Sequence, residues 1–167
     1  RRGEDLLDAH GYEEGSAAAL GRMVAAETET LILHEVGEHE AAALLGPAWE
    51  GSLCGLERRG ASILMRAVRD HLADCLVTLP ELVERKADAS LHLWFANLDG
   101  MRRELFPRAQ EAYLAWRGGD RGQALLATAE VGAEHWRRAC GVVLDAIAGD
   151  DGELAVEALA LDDALRL

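Results

Sequence analysis

Cysteine is scarce in this 167-residue sequence, and its placement excludes the protein classes that depend on it. The three cysteines, Cys54, Cys75 and Cys140, are odd in number and far apart, and none belongs to a Cys-x-x-Cys pair. We therefore expect neither a disulfide framework nor a cysteine-based zinc site. A reducing compartment, the cytoplasm, is the expected location.

Long apolar runs and basic residues are also in short supply. No apolar run approaches the roughly 20 residues that span a bilayer, and no apolar signal segment opens the sequence. Lysine and arginine total 17 against 30 acidic residues, which gives a formal net charge of −13. Because nucleic-acid binding needs a basic patch and only short arginine pairs occur here, we expect neither nucleic acid nor membrane as a partner.

β-Branched residues are sparse as well, which argues against strands. Hydrophobic residues make up 50% of the chain, and many of them are alanine or leucine. These side chains lose little rotamer freedom in a helix, so the composition predicts an all-α protein. The length suits a single helical domain over 1–167.

Glycine and proline divide the chain into segments. Gly46-Pro47, Pro80, Gly118-Gly119 and the run from Gly149 to Gly152 are expected to end helices, and Pro80 can instead open a short helix. Short connections between four long helices favour an antiparallel four-helix bundle, with additional short helices at the termini. The expected segments are an arm over 1–15, a four-helix core over 16–148 with helices over about 16–45, 61–79, 90–106 and 120–148, and an amphipathic helix over 153–167.

Each predicted long helix carries one histidine on an apolar stripe, and carboxylates lie on or beside the same stripes. Buried ionisable groups must pair, neutralise or bind a cation. Imidazole and carboxylate ligands together suit iron, manganese or zinc, and bundle cores commonly hold such sites. The pattern predicts an internal metal site, most simply non-haem iron as one or two ions, with zinc or manganese as alternatives. The expected ligands are Glu27, His34, Glu38, His71, Asp74, His92, Asp99 and His135.

The expected position of each residue along the bundle axis distinguishes the stronger ligand candidates from the weaker ones. In an antiparallel bundle His34, His71 and His135 would lie at similar depth. His92 lies near the start of its helix and fits less well, so Asp99, two turns further on, is the better candidate there. Glu27, His34 and Glu38 share one face of the first helix at about 100° per residue, and they form the strongest cluster.

The spacing of His34 and Glu38, His-x-x-x-Glu, resembles one element of the hemerythrin ligand set. That resemblance implies a non-haem di-iron centre held in a four-helix bundle. It covers these two residues only, because the His-x-x-x-His and His-x-x-x-x-Asp pairs of hemerythrin are absent. The Glu-x-x-His pairs of ferritin-like proteins are absent too.

Two functions are consistent with this pattern. The first is a metal-binding bundle for dioxygen or redox chemistry, storage or sensing. The second is a non-enzymatic interaction or scaffold module, in which the inward polar residues close a hydrogen-bonded network and the acidic surface or the C-terminal helix binds a protein partner. A single helical histidine is more often a hydrogen-bonded structural residue than a ligand, and a homodimer is compatible with both functions.

Overall fold

The computed structural model describes Asp8, Ala9, Gly11 and residues 17–167. Within these residues the regular structure is entirely helical, with no strand, so the all-α prediction is confirmed. Residue 16, the expected start of the first helix, lies outside the described residues, as does most of the predicted arm over 1–15. In the described part of the chain, no helix is both long enough and apolar enough to cross a bilayer.

Two long helices and one interrupted helix dominate the architecture. The elements are α1 (Ala17–Leu45), α2 (Pro47–Cys54), α3 (Arg59–Ala73), a π-helical segment (Asp74–Thr78), α4 (Leu79–Glu84), α5 (Asp88–Asn97), α6 (Gly100–Leu105), α7 (Pro107–Ala115), a second π-helical turn (Trp116–Asp120), α8 (Gln123–Ile147), α9 (Gly152–Leu159) and a 3-10 turn (Asp163–Leu165).

Helix α3 and the π segment that follows it lie at the centre of the fold. They pack against α1 on one side and α8 on the other, while α6 and α9 also contact α3. The π segment contacts both α1 and α8. The continuous helix formed by α3 and the π segment therefore buries two faces, one against α1 and one against α8. This placement brings polar residues of α1, α3 and α6 together.

Two glycines allow the neighbouring helices to approach this central path closely. A Cβ atom at Gly37 of α1 would lie 2.5 Å from the carbonyl oxygen of Ala73, and one at Gly132 of α8 would lie 2.5 Å from the Sγ atom of Cys75. Real Cβ atoms do not make contacts this short, so any side chain at either position would push the helices apart.

Several expected helix boundaries are found. α1 ends at Leu45 before Gly46-Pro47, and α8 begins after Asp120, whose carboxylate accepts hydrogen bonds from the backbone N–H groups of Gly122 and Ala124. The C-terminal helix α9 is shorter than expected. It packs on α3 and α8 with Val156 fully buried, so it belongs to the core.

Two helix boundaries differ from the simplest expectation. The second helix does not stop at Pro80, and the alternative expectation holds: the path continues through the π segment into α4, which has the proline in its first turn. The third helix does not continue to Phe106, because Leu98 and Asp99 adopt extended backbone angles and Gly100 has a φ of 46°. The Asp-Gly pair favours a helix start at this point.

Candidate functional site

A buried ion pair between α1 and the π segment forms the centre of the candidate site. Asp74, the first residue of the π segment, has no exposed surface. The Nδ1–H group of His34 donates a hydrogen bond to its Oδ1 atom at 2.9 Å. The close approach at Gly37, one turn along α1 from His34, permits this contact. π-Helical turns occur frequently at functional sites, which makes the position of Asp74 notable.

Arg102 of α6 completes the pairing of Asp74. Its Nη2 atom donates to Oδ2 of Asp74 at 2.5 Å, so both carboxylate oxygens are engaged. Burial alone would raise the pKa of Asp74, but the hydrogen bond from His34 and the charge of Arg102 outweigh that effect and lower it. The carboxylate therefore stays ionised inside the protein.

The same hydrogen bond sets the protonation behaviour of His34. Its bond to Asp74 raises the pKa of His34; burial opposes this, and the negative charges of Asp74, Asp70 and Glu38 add to the increase. Because Nδ1 carries the proton that is donated to Asp74, the Nε2 atom is the one that remains for a proton or a ligand.

His34 Nε2 faces a pair of carboxylates. It lies 3.4 Å from Oε1 of Glu38, one turn further along α1. His34, Glu38 and Asp70 of α3 each offer one ligand atom, and these atoms all lie within 4.8 Å of one another. Metal-ligating histidines commonly donate their other ring N–H to a carboxylate, which is the arrangement of His34 on Asp74.

Arg69 of α3 competes for the same carboxylates. Its Nη2 atom donates to Oε1 of Glu38 at 2.6 Å and to Oδ1 of Asp70 at 3.0 Å. A single guanidinium group can donate hydrogen bonds to two carboxylates and offset part of their charge without a metal. A cation that binds to Glu38 and Asp70 must therefore displace Arg69.

The other predicted histidines lie away from this group. His71 is fully buried against the rings of Phe106 and Trp136, and its Nε2–H group donates to the carbonyl oxygen of Arg102 at 2.9 Å. Burial and the charge of Arg102 lower the pKa of His71 to about 3, so it is neutral. His135 donates through Nε2 to the carbonyl oxygen of Leu165 at 3.0 Å.

His92 and the remaining carboxylates also occupy separate places. His92 Nδ1 lies 2.7 Å from the Tyr113 hydroxyl. Glu27 accepts a hydrogen bond from Ser90 at 3.3 Å. The expectation that Asp99 faces the core was wrong, because the helix break at Leu98 leaves Asp99 exposed at the start of α6. Of the eight predicted ligands, the structure thus brings together His34, Glu38 and Asp74.

Sequence reasoning missed Asp70 and Arg69, and it expected Arg102 to pair with Asp99, Glu130 or Glu134 instead of Asp74. Asp70 and Asp74 lie on the side of α3 and the π segment that meets α1, whereas His71 and Cys75 lie on the side that meets α8. The choice of a single core face for this helix excluded Asp70. The spacing of Asp70 and Asp74 at i and i+4, with Arg69 beside them, was the available signal.

Comparison with protein families gives a match over most of the chain. Residues 4–162 match the family of unknown function (DUF6866) C-terminal domain. No curated protein and no solved structure matches the chain.

Proposed function

The chain belongs to the family of unknown function (DUF6866) C-terminal domain, and we propose that it is a metal-binding helical protein that holds one divalent ion. The ligands are His34 through Nε2, Glu38 and Asp70. The observation that carries this proposal is the hydrogen bond from His34 Nδ1 to the buried Asp74, which directs the other ring nitrogen toward two carboxylates.

The ligand chemistry supports a first-row transition metal. One imidazole nitrogen and two carboxylates suit iron(II), manganese(II) or zinc(II), and we propose iron first. Among the described residues these three form a single group with metal-ligand spacing, which supports one ion instead of two. Their side chains are 19–28% exposed, so a bound ion is open to solvent and to a further ligand such as dioxygen. Such a site serves redox chemistry, storage or sensing.

Titration of the purified chain with iron(II) under anaerobic conditions, and with manganese(II) and zinc(II), tests this proposal. Loss of one ligand in Glu38→Gln or Asp70→Asn is expected to weaken binding by about tenfold or more, while metal-free stability is measured in parallel. The matched control is Glu35→Gln, because Glu35 is exposed on the same helix and stands outside the ligand group. Equal binding by all variants, or no binding by the unaltered chain, contradicts the proposal.

The bridging position of Arg69 favours a second candidate function, a non-enzymatic interaction module with a closed polar network. In that case Arg69 bridges Glu38 and Asp70 by hydrogen bonds and no metal is needed. Exposed apolar side chains on α1 support a protein partner or a second copy of the chain, since apolar surface of this kind commonly marks interaction sites. They include Leu20, Val24, Leu31, Ile32 and Val36.

Arg69→Met separates the two functions. If the carboxylates bind a metal, removal of the competing guanidinium strengthens metal binding by about tenfold, the equivalent of about 1.4 kcal/mol. If the network is the function, no metal binds to either protein, and the free energy of unfolding falls by about 1–3 kcal/mol because charged hydrogen bonds are lost. Isothermal titration and denaturant unfolding measure both quantities.

A further inference from the structure

A cleft lined by His34 but not by Glu38 has features of a binding site. It lies between α1, the π segment, α5 and α6 and has a volume of about 380 Å³. Pockets that bind small organic molecules commonly have volumes of about 300–1,000 Å³. The side chains that line it are those of Glu27, Thr30, Leu31, His34, Asp74, Thr78, Leu93, Trp94, Asn97 and Arg102.

Three of these side chains carry buried polar atoms without a partner. Thr78 Oγ1, Trp94 Nε1 and Arg102 Nε are shielded from solvent and have no hydrogen-bond partner within the described part of the chain. Thr78 is 0% exposed and Trp94 is 7% exposed. Folded proteins pair nearly all buried polar groups, so three unpaired atoms around one cleft indicate a missing partner.

The three atoms define the chemistry of that partner. The indole N–H of Trp94 and the Nε–H of Arg102 can only donate, and the Thr78 hydroxyl can donate as well. The partner must therefore present an acceptor oxygen. Ordered water also has one, but the cleft has apolar walls from Leu31, Leu93 and the Trp94 ring that suit a hydrocarbon group.

The charges in the cleft wall favour an uncharged partner. Glu27 and Asp74 are acidic, and the basic residues beside them, Arg102 and His34, are both paired with Asp74. Because Arg102 already pairs with Asp74, its positive charge is largely compensated, and a second carboxylate would meet repulsion from Glu27. A neutral carbonyl oxygen accepts the same hydrogen bonds without this repulsion.

We propose that this cleft binds an uncharged, mainly apolar molecule through a carbonyl oxygen that accepts hydrogen bonds from Trp94, Thr78 and Arg102. The cleft shares His34 with the proposed metal site, but neither Glu38 nor Asp70 lines it, so ligand binding can be measured on the metal-free chain. Its ligand class is a primary or secondary amide, an ester or a ketone with a short hydrocarbon chain.

Octanamide is a suitable probe, with octanoate and octanol as matched compounds. In an NMR titration of the metal-free chain, octanamide is expected to shift the indole N–H signal of Trp94 saturably, and Trp94→Phe assigns that signal. Octanoate is expected to bind more weakly because of its charge, and octanol because its hydroxyl is a poorer acceptor. Equal or tighter binding of octanoate overturns the proposal, as does the absence of saturable octanamide binding, which would mean that only water occupies the cleft.

Two variants test the proposed donors. Trp94→Phe keeps an aromatic ring without the N–H group, and Thr78→Val keeps the shape without the hydroxyl. Each is expected to weaken octanamide binding about fivefold, as the loss of one hydrogen bond implies. Trp116→Phe and the exposed Thr28→Val are the matched controls, since both residues lie outside the cleft. Unchanged binding in both Trp94→Phe and Thr78→Val overturns the proposal, whatever the metal titrations show.

Discussion

Replacement of Asp74 by asparagine is expected to destabilise the fold and to change the titration of His34. Asparagine keeps the shape, but it offers one acceptor oxygen where Asp74 accepts from both His34 and Arg102. Breaking a fully buried ion pair costs about 3–5 kcal/mol. Since His34 and Arg102 are 25% and 27% exposed, water compensates part of that loss, and we expect about 2–3 kcal/mol.

The pH dependence gives the sharper test. Because the folded state raises the pKa of His34, the His34–Asp74 interaction stabilises fully below the unfolded value of 6.5 and is lost as pH rises through the folded pKa. The pKa of Asp74 is lowered in the folded state, so its contribution is present above its unfolded value and is lost as pH falls through the folded pKa. Asp74→Asn removes the dependence due to Asp74 and reduces that due to His34, because Asp70 and Glu38 still raise the pKa of His34.

Urea and thermal unfolding across pH, together with NMR titration of the His34 ring, measure these effects. The melting temperature of Asp74→Asn should fall by about 4–12 °C, given the size of the domain. The control is Asp145→Asn, which removes an exposed carboxylate from α8. A His34 pKa that is the same in Asp74→Asn and in the unaltered chain would refute the assignment of Asp74 as its main partner.

Two further perturbations follow from the packing of α3. Gly37→Ala places a Cβ atom 2.5 Å from the Ala73 carbonyl oxygen and should lower the free energy of unfolding by about 1–3 kcal/mol. The control Gly21→Ala, which has open space around the new Cβ atom, should raise the free energy of unfolding by about 0.5–1 kcal/mol. Equal effects of the two substitutions in urea unfolding would contradict the close contact at Gly37. The folded pKa of His71 is about 3, so His71 binds a proton more readily in the unfolded state. The free energy of unfolding should therefore fall by about 1.4 kcal/mol per pH unit as pH falls from 6.5 toward 3. His71→Leu should remove that slope from urea unfolding measured at pH 7 and pH 4.5, and an unchanged slope would argue against a neutral buried imidazole.

The helix positions that the sequence predicted well depend on local chemistry. Gly46-Pro47 and the Asp120 cap act within a few residues of their own position, so their effect is readable from the chain. The π segment is different. Its wider turn is set by packing between α1 and α8, with Gly37 and Gly132 on either side, and a local pattern does not specify it.

The candidate site was predictable in part for the same reason. His34 and Glu38 share one face of α1 at a spacing of four residues and lie 3.4 Å apart. The expectation that this face is the core face of α1 was wrong, because Leu33, Gly37 and Ala41 form the buried face while Leu31, on the side of His34, is exposed. Asp70 and Arg69 lie on a helix that buries two faces, which a single apolar stripe does not reveal. The long arginine side chains reach carboxylates on α1 and the π segment, and this reach depends on the tertiary arrangement of the helices.

Arg102 connects the two buried faces of the central helix. Its side chain donates to Asp74 on the face toward α1, and its backbone carbonyl accepts from His71 on the face toward α8. The side chain and the backbone carbonyl of Arg102 therefore both fix the position of α6. That position also depends on the helix break at Leu98 and Asp99. An uninterrupted helix through this break would carry Arg102 along a different path. The sequence pattern did not predict the helix break at Leu98 and Asp99. This break places Arg102 beside Asp74, and it thus allows the buried Asp74 to stay ionised and to orient His34.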